Sequence, residues 1–275
     1  MGLRINTNVA SIAAQRSLSQ SQRKLEDNLK QLSTGSRFAD PTAGAGDFAI
    51  AEKLRGQIKG TNAARMNAEN AISFVQIAEG GLSEQNNILV RMRELSVQAA
   101  SDTFGDEERV LLDKEFTQLK DELDRIANTT QFGSHKLLSG ESKHFDFQVG
   151  AYKGEENVIQ YDSNTNTTAS GLGISGLSVS DADDARDSLE SIDEALGEIA
   201  SARAGFGAVQ SRLESASANA AVQSENLQAA HSRIADTDFA EASAEMFKQQ
   251  ALQQYQVAVL AQANQYPMSV LKLIA

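Results

Sequence analysis

The chain holds three histidines, His135, His144 and His231, and no cysteine. A zinc-protease helix needs two His four residues apart with a Glu beside the first. Here the separations are 9 and 87 residues, so no such site is expected. Without cysteine there is no disulfide, no thiolate nucleophile and no Cys-based metal site. A Ser–His–Asp triad assembles from remote positions and leaves no fixed spacing, but no Gly-x-Ser-x-Gly elbow occurs. "GSHKLLSG" lacks the form of a phosphate-cradling glycine loop, and no strand–loop–helix unit surrounds it. The acidic runs lack the ordered ligand spacing of a calcium loop and read as solvated helix faces. No catalytic, cofactor-binding or metal residue is assigned, and the chain is not expected to be an enzyme.

With no chemistry to position, the elements themselves carry the information. Only two prolines occur, Pro41 and Pro267, so the 225 residues between them can form long helices. Residues 5–33 read as a first helix, broken by the Gly- and Pro-containing "STGSRFADPTAG". A second runs from Asp47 to about Ala100 through Ile50, Leu54, Leu82, Leu89, Met92 and Leu95. Gly80-Gly81 is read as a weak point in one helix, with a break as the alternative. "SDTFGDEER" is a turn with Asp106 as N-cap of a third helix that reaches Ala127. "NTTQFGSHKLLSG" reads as loop. "HFDFQVG" alternates Phe145, Phe147 and Val149 and pairs with "ENVIQY" as a hairpin. Residues 162–180 are loop with at most one strand.

Helix then resumes. Ile192, Ile199, Phe206 and Leu213 are seven apart, the register of a coiled-coil seam, and the pattern continues to Ile234. After the junction "ADTDFAE" a last helix runs to the end. The fold class is therefore mainly α: a long antiparallel helical coiled coil or bundle hairpin, with a small β-hairpin region at its tip. The near-palindrome sets first helix against last and second against the long C-terminal one. The lack of Trp and the 5% aromatic content favour such extended packing over one round core.

Charge sharpens this division. The net charge of −12 argues against nucleic acid as a partner. Residues 101–127 carry nine acids and four bases, and 181–198 eight acids and one base, so the middle is built for water. Residues 249–275 hold one charge, Lys272, and their longest apolar run is the five residues "VAVLA", far short of a membrane span. No apolar signal segment is expected at the N-terminus. In "RINTNVASIAAQRSL" the apolar stripe is thin: Ile5, Val9 and Ile12, followed by Leu25, Leu29 and Leu32. A thin stripe cannot stand alone in water. Paired with the last helix, which carries Leu252, Val259, Leu260 and Leu271, it still leaves apolar edges for burial between subunits.

"INTNVASIAAQRSL", "LSTGSRFADPTAGAGDFAIAEKLRGQI", "AEGGLSEQNNILVRMRELSVQAASDT", "ENLQAAHSRIADTDFAEASAEMFKQQ" and "VAVLAQANQYPMSVLKL" together resemble the bacterial flagellins. The resemblance covers about residues 1–140 and 185–275; hook-filament junction proteins share a looser version of these ends and are the alternative. It implies a structural subunit of the extracellular flagellar filament that self-assembles as a helical homopolymer for swimming. Residues 1–44 with 236–275 would form an inner coiled-coil domain lining the channel, and 45–235 an outer helical domain with a hairpin region at about 140–180. Residues 140–184 are too few for a variable outer domain. The resemblance further implies export unfolded by a type III route, a chaperone on the C-terminal helix, and contact with junction and cap proteins. A host Toll-like receptor would recognise Arg91, Leu95 and Glu115, with Arg93 and Glu94 nearby; Val90 stands where recognised members commonly carry Gln. Gly150 and Gly154 fall in the family's candidate polymorphic switch hairpin. No cofactor and no membrane insertion are implied.

Overall fold

The computed structural model describes residues 8–38, 44–141, 144–162 and 165–274, the last nine by backbone alone. Five helices dominate: α1 (Val9–Thr34), α2 (Ala45–Ala99), α3 (Asp106–Thr129), α4 (Ala182–Ala235) and α5 (Phe239–Ile274). Two short antiparallel pairs lie between α3 and α4 in sequence: β1 (Gln131–Phe132) with β2 (His135–Lys136), and β3 (Phe145–Gln148) with β4 (Val158–Tyr161). The contacts divide the chain into two compact units, residues 1–56 with 226–275, and residues 57–225.

In the first unit α1 and α5 run antiparallel. Asn8 Nδ2 donates to the Ala263 carbonyl at 2.8 Å near one end, and Ser36 bridges to Asp236 at the other. Asn8 also caps α1, its Oδ1 accepting from Ser11 N–H at 3.1 Å. Residues 5–7, read above as the start of this helix, lie outside the described residues. Gly35 ends α1 in the left-handed region at φ 68°, its N–H returning to the Gln31 carbonyl.

In the second unit α2 and α4 are antiparallel, as the pairs Arg93–Asp193 and Glu79–Arg203 show by their opposed order. Ile192, Ile199, Phe206 and Leu213 are all buried, in one cluster with Leu82, Leu89 and Met92 of α2 and Phe116 and Leu123 of α3. The seven-residue spacing is thus the core seam. Helix α2 passes through Gly80-Gly81 unbroken. A Cβ at Gly81 would stand 2.7 Å from Thr130 Oγ1 and 2.9 Å from Leu138 Cδ1, so this glycine lets the segment after α3 lie against the helix.

Two expectations give way to the structure. Gly105, not Asp106, precedes α3: its extended backbone starts the helix, its N–H donates to Glu108 Oε2 at 2.9 Å, and Asp106 is turned toward Arg109. The stretch read as loop at 131–136 closes into a two-residue strand pair around Gly133, and Leu137 and Leu138 after it are buried. Helix α4 begins at Ala182, ahead of the first periodic residue Leu189.

The acidic face of α3 is also less purely solvated than its composition implies. Asp124 accepts from Ala169 N–H at 2.6 Å, and Asp113 from Val179 N–H at 2.9 Å. Lys120 donates to the carbonyls of Ser175 and Leu177. Buried Gln85 adds bonds to the carbonyls of Leu123 and Thr167. These bonds hold residues 166–179 without a sheet and accompany the burial of Leu172, Ile174 and Val179.

Candidate assembly surface

What α1 and α5 hide completely from water is small or polar. Ser21, Ala242, Gln249 and Ala263 are the buried residues of the two helices among those described. Ser11 Oγ donates to Asn264 Oδ1 at 2.8 Å, and Gln249 Nε2 donates to Glu245 Oε1 at 2.6 Å. Many of the large apolar side chains are turned outward instead. Val9 is 67% exposed, Ile12 51% and Leu29 48%; on α5 Leu252 and Val259 are each 38% exposed. Phe239, Phe247, Tyr255 and Val257 are more than half exposed. Leu25, Leu32 and Leu260 are half-buried, so they contribute to the pair without being closed off by it. Ile5 and the side chain of Leu271 lie outside the described residues.

The direction of these side chains matters more than their number. At 3.6 residues per turn, Val257 points away from the side that carries Leu252, Tyr255 and Val259, and Phe247 lies on a flank between the two. A helix that is apolar on several sides asks for burial on several sides. One partner helix can cover only one of them.

Charge follows the same partition. Residues 57–225 carry 28 acids and 14 Lys and Arg, whereas residues 1–56 with 226–275 carry 9 and 11. The negative charge therefore sits in the second unit, and the first can be crowded with copies of itself without strong self-repulsion. A concavity of about 700 Å³ in the first unit is lined by Arg37, Arg233, Asp236, Asp238, Glu241 and Glu245 among others and is open to solvent. That lining lacks the apolar wall of a small-molecule site. Among the described residues no group of three or more His, Asp or Glu could hold a metal ion, and no helix is long and apolar enough to cross a membrane.

A second surface lies on the second unit. Arg91 is half-exposed, with Nε and Nη2 converging on Glu115 Oε1 at 2.9 and 2.8 Å and Nη1 reaching Glu94 Oε2 at 3.0 Å. The bond to Glu115, with that to Glu94 adding to it, raises the pKa of the guanidinium. Arg93 grips Asp193 of α4 at 2.7 and 3.3 Å. Leu95 is fully buried, so its side chain offers nothing to a partner and acts by seating the helix that carries Arg91. Val90 and Val97 beside the ion group are exposed.

The third candidate is the β3–β4 hairpin. Phe145 and Phe147 stack at 6.4 Å and meet Phe74 of α2 edge-on at 4.7 and 5.6 Å, which fixes the inward face. Asn67 Nδ2 donates to the Gln148 carbonyl at 3.2 Å. Beyond the strands, Val149 and Gly150 both donate to the Asn157 carbonyl, at 2.8 and 3.1 Å. A Cβ at Gly150 would collide with the Asn157 side chain. At Gly154 a φ of 154° disfavours any other residue. Ala151 lies so close to Gly60 of α2 that a Cβ there would be 3.1 Å from its own.

Arg109 carries no signal in the hydrophobic pattern. It is 8% exposed, and its Nε and Nη2 donate to the carbonyls of Ala99 and Ser101, closing the end of α2, while Nη1 meets Asp106.

Paired terminal helices with outward apolar side chains, and a second helical unit built on a single apolar core, define a self-associating structural subunit. Known proteins supply the family. The bacterial flagellin N-terminal helical region matches residues 5–143, and the C-terminal helical region matches residues 189–274. The chain belongs to the bacterial flagellins. A flagellin of Halalkalibacterium halodurans is 38% identical, covering 98% of this chain and 99% of that protein. The flagellar filament 30.7 kDa core protein of Treponema maltophilum is 37% identical, over 98% and 99%. The crystal structure of Bacillus cereus flagellin superposes with a TM-score of 0.50 at 28% identity, covering 56% of this chain and 88% of that one. The protein is thus a non-enzymatic structural subunit that polymerises into the extracellular flagellar filament.

Proposed function

We propose that residues 1–44 with 236–275 form the inner, channel-lining layer of the filament and residues 45–235 the layer outside it. The observation that carries this reading is the outward apolar surface of the α1–α5 pair: its fully buried residues are small or polar, whereas Val9, Ile12, Leu29, Phe247, Tyr255 and Val257 are exposed. Subunits that meet head to tail without closing build an open-ended tube. The near-neutral terminal unit suits the crowded interior, and the acidic unit suits the wet exterior.

The same exposed face of α5 suits an export chaperone that shields it before assembly. One truncation addresses both roles. A chain lacking residues 236–275 should neither extend filament seeds nor be retained by the chaperone in a pull-down. Seed extension by that chain would refute the assembly role, and undiminished retention would refute the chaperone assignment. Junction and cap proteins would meet the same terminal surfaces at the two ends of the tube, where exposed copies remain uncovered; binding of either to a chain lacking residues 236–275 would count against this.

Two further roles belong to the second unit. The Arg91–Glu94–Glu115 ion group, with Arg93 beside it, is the recognition surface for the host Toll-like receptor. The β3–β4 hairpin is the switch element between filament waveforms, because its tip rests on α2 through a close approach of small residues rather than a deep core. Bistable packing of this kind is how small shifts become discrete states. Gly150→Ala, which displaces Asn157, should change the waveform seen by dark-field microscopy; an unchanged waveform removes the hairpin from the role.

A further inference from the structure

A neutral imidazole has one N–H and one lone pair, whereas an ionised carboxylate only accepts. At His144 both ring nitrogens face carboxylate oxygens. Nδ1 lies 2.6 Å from Asp162 Oδ1, and Nε2 lies 2.9 Å from Asp146 Oδ1. Only the imidazolium can donate to Asp162 and present positive charge to Asp146 at once. A neutral ring would satisfy one carboxylate and turn a lone pair on the other.

The position of this group gives it leverage. In the hairpin Phe145 pairs with Tyr161, the outermost pair at the open end. His144 and Asp162 are the next residues outward on the two chains, and Asp146 is on β3 itself. The three side chains therefore tie one strand to the other where the backbone ladder stops. A ribbon of two four-residue strands is marginal by itself in water. Its inward face is held by Phe74, and its turn end by Gln148 and Asn157. The open end has this ionic tie.

Among the described residues, several other charges around the hairpin are engaged elsewhere or lie at its far end. On α2 Arg65 pairs with Glu69 at 2.9 Å, and Lys136 of β2 pairs with Glu141 at 3.4 Å. Arg203 of α4 faces Glu79 at 3.6 Å. Glu155 and Glu156 sit at the opposite, turn end. His135 of β2 touches the edge of Phe145, with ring centroids 6.1 Å apart. Among the described residues, Asp162 and Asp146 are the charges that act on the His144 ring.

We propose that His144 is a proton-operated clasp: as imidazolium it ties Asp146 to Asp162 and closes the open end of the hairpin, and on losing its proton it releases one of them and loosens the strands. The hydrogen bond to Asp162, then the charge of Asp146, raises the pKa of the ring above its ordinary value of 6.5. The sign follows from linkage. Stabilisation of the hairpin is complete below the ordinary histidine range and is lost as pH rises through the raised folded value. If the hairpin is the waveform switch proposed above, its order becomes sensitive to acidity, but the clasp itself is testable in the monomer.

The test uses the full chain as monomer. Ring proton shifts of His144 are followed by NMR against pH in the wild type, Asp162→Asn and Asp146→Asn. Amide exchange of residues 145–148 and 158–161 is measured at several pH values and corrected for the intrinsic pH dependence. The ring should titrate above a free histidine, and each Asn variant should lower its midpoint. Strand amides should lose protection severalfold as the ring deprotonates, with α2 core amides unchanged. His144→Gln should abolish that step and leave the strands at the less protected level throughout. A ring that titrates like free histidine, or equal strand protection in wild type and His144→Gln at every pH, overturns the proposal.

Discussion

Replacing Ile12 and Val259 together by Asp should leave the second unit folded and stop the chain extending filament seeds. Both side chains are exposed in the monomer, and the α1–α5 pair is closed elsewhere, by Ser21, Ala242, Gln249 and Ala263. Assembly changes their surroundings. An unpaired carboxylate taken out of water costs several kcal/mol. If the two together cost about 4 kcal/mol, the critical concentration rises about a thousandfold, since each 1.4 kcal/mol is tenfold. Pelleting of polymer over a range of protein concentrations reads this directly, with circular dichroism confirming that the second unit still melts as in the wild type. An unchanged critical concentration would mean that these faces stay wet in the filament.

Leu95→Ala and Arg91→Ala should separate folding from recognition. Leu95 is fully buried, in one cluster with Leu89, Met92 and the α3 and α4 core. Its truncation should cost about 2–5 kcal/mol. For a unit of this size each kcal/mol lowers the melting temperature by about 2–4 °C, so a drop of about 4–20 °C is expected. Arg91 is nearly half-exposed, and its pairs with Glu94 and Glu115 are surface pairs whose attraction water largely screens. Its truncation should leave melting almost unchanged while removing the guanidinium at the centre of the proposed receptor surface. A receptor-reporter assay at a temperature where both variants are folded completes the comparison. Full activation by Arg91→Ala would end the assignment, and a melting point unchanged in Leu95→Ala would contradict the core described here.

The parts of this structure that repeat are legible in the residues. Ile192, Ile199, Phe206 and Leu213 announce a buried seam because helix geometry returns every seventh residue to one side. Phe145 and Phe147 announce an inward strand face because a strand returns every second one. What escapes has no period. Arg109 closes α2 through carbonyls ten and eight residues earlier in the chain, and Asp113 and Asp124 hold backbone N–H groups far along the sequence. Such bonds depend on where α3 lies, which no local pattern encodes. Leu137 and Leu138 are hidden inside a polar, glycine-containing stretch for a related reason: they are buried by elements distant in sequence. The proposed receptor surface shows both sides of the matter. The core spacing of Met92 and Leu95 marks Leu95 as inward, while Arg91, one turn before it, stays half-exposed at the edge of that face; the facing Glu115 comes from family resemblance and the Asp193 partner of Arg93 from the structure alone.

On this account the outward apolar side chains of α1 and α5 are wet in the monomer and dry in the filament. The absence of cysteine allows a direct measurement. Single-cysteine chains Leu29→Cys, Val259→Cys and, as a control on the acidic unit, the exposed Asp183→Cys are alkylated by a soluble maleimide before and after polymerisation. All three should react readily as monomers; in filaments the Leu29 and Val259 positions should be strongly protected while the Asp183 position stays reactive. Equal labelling of Leu29→Cys and Val259→Cys in monomer and filament would contradict the account.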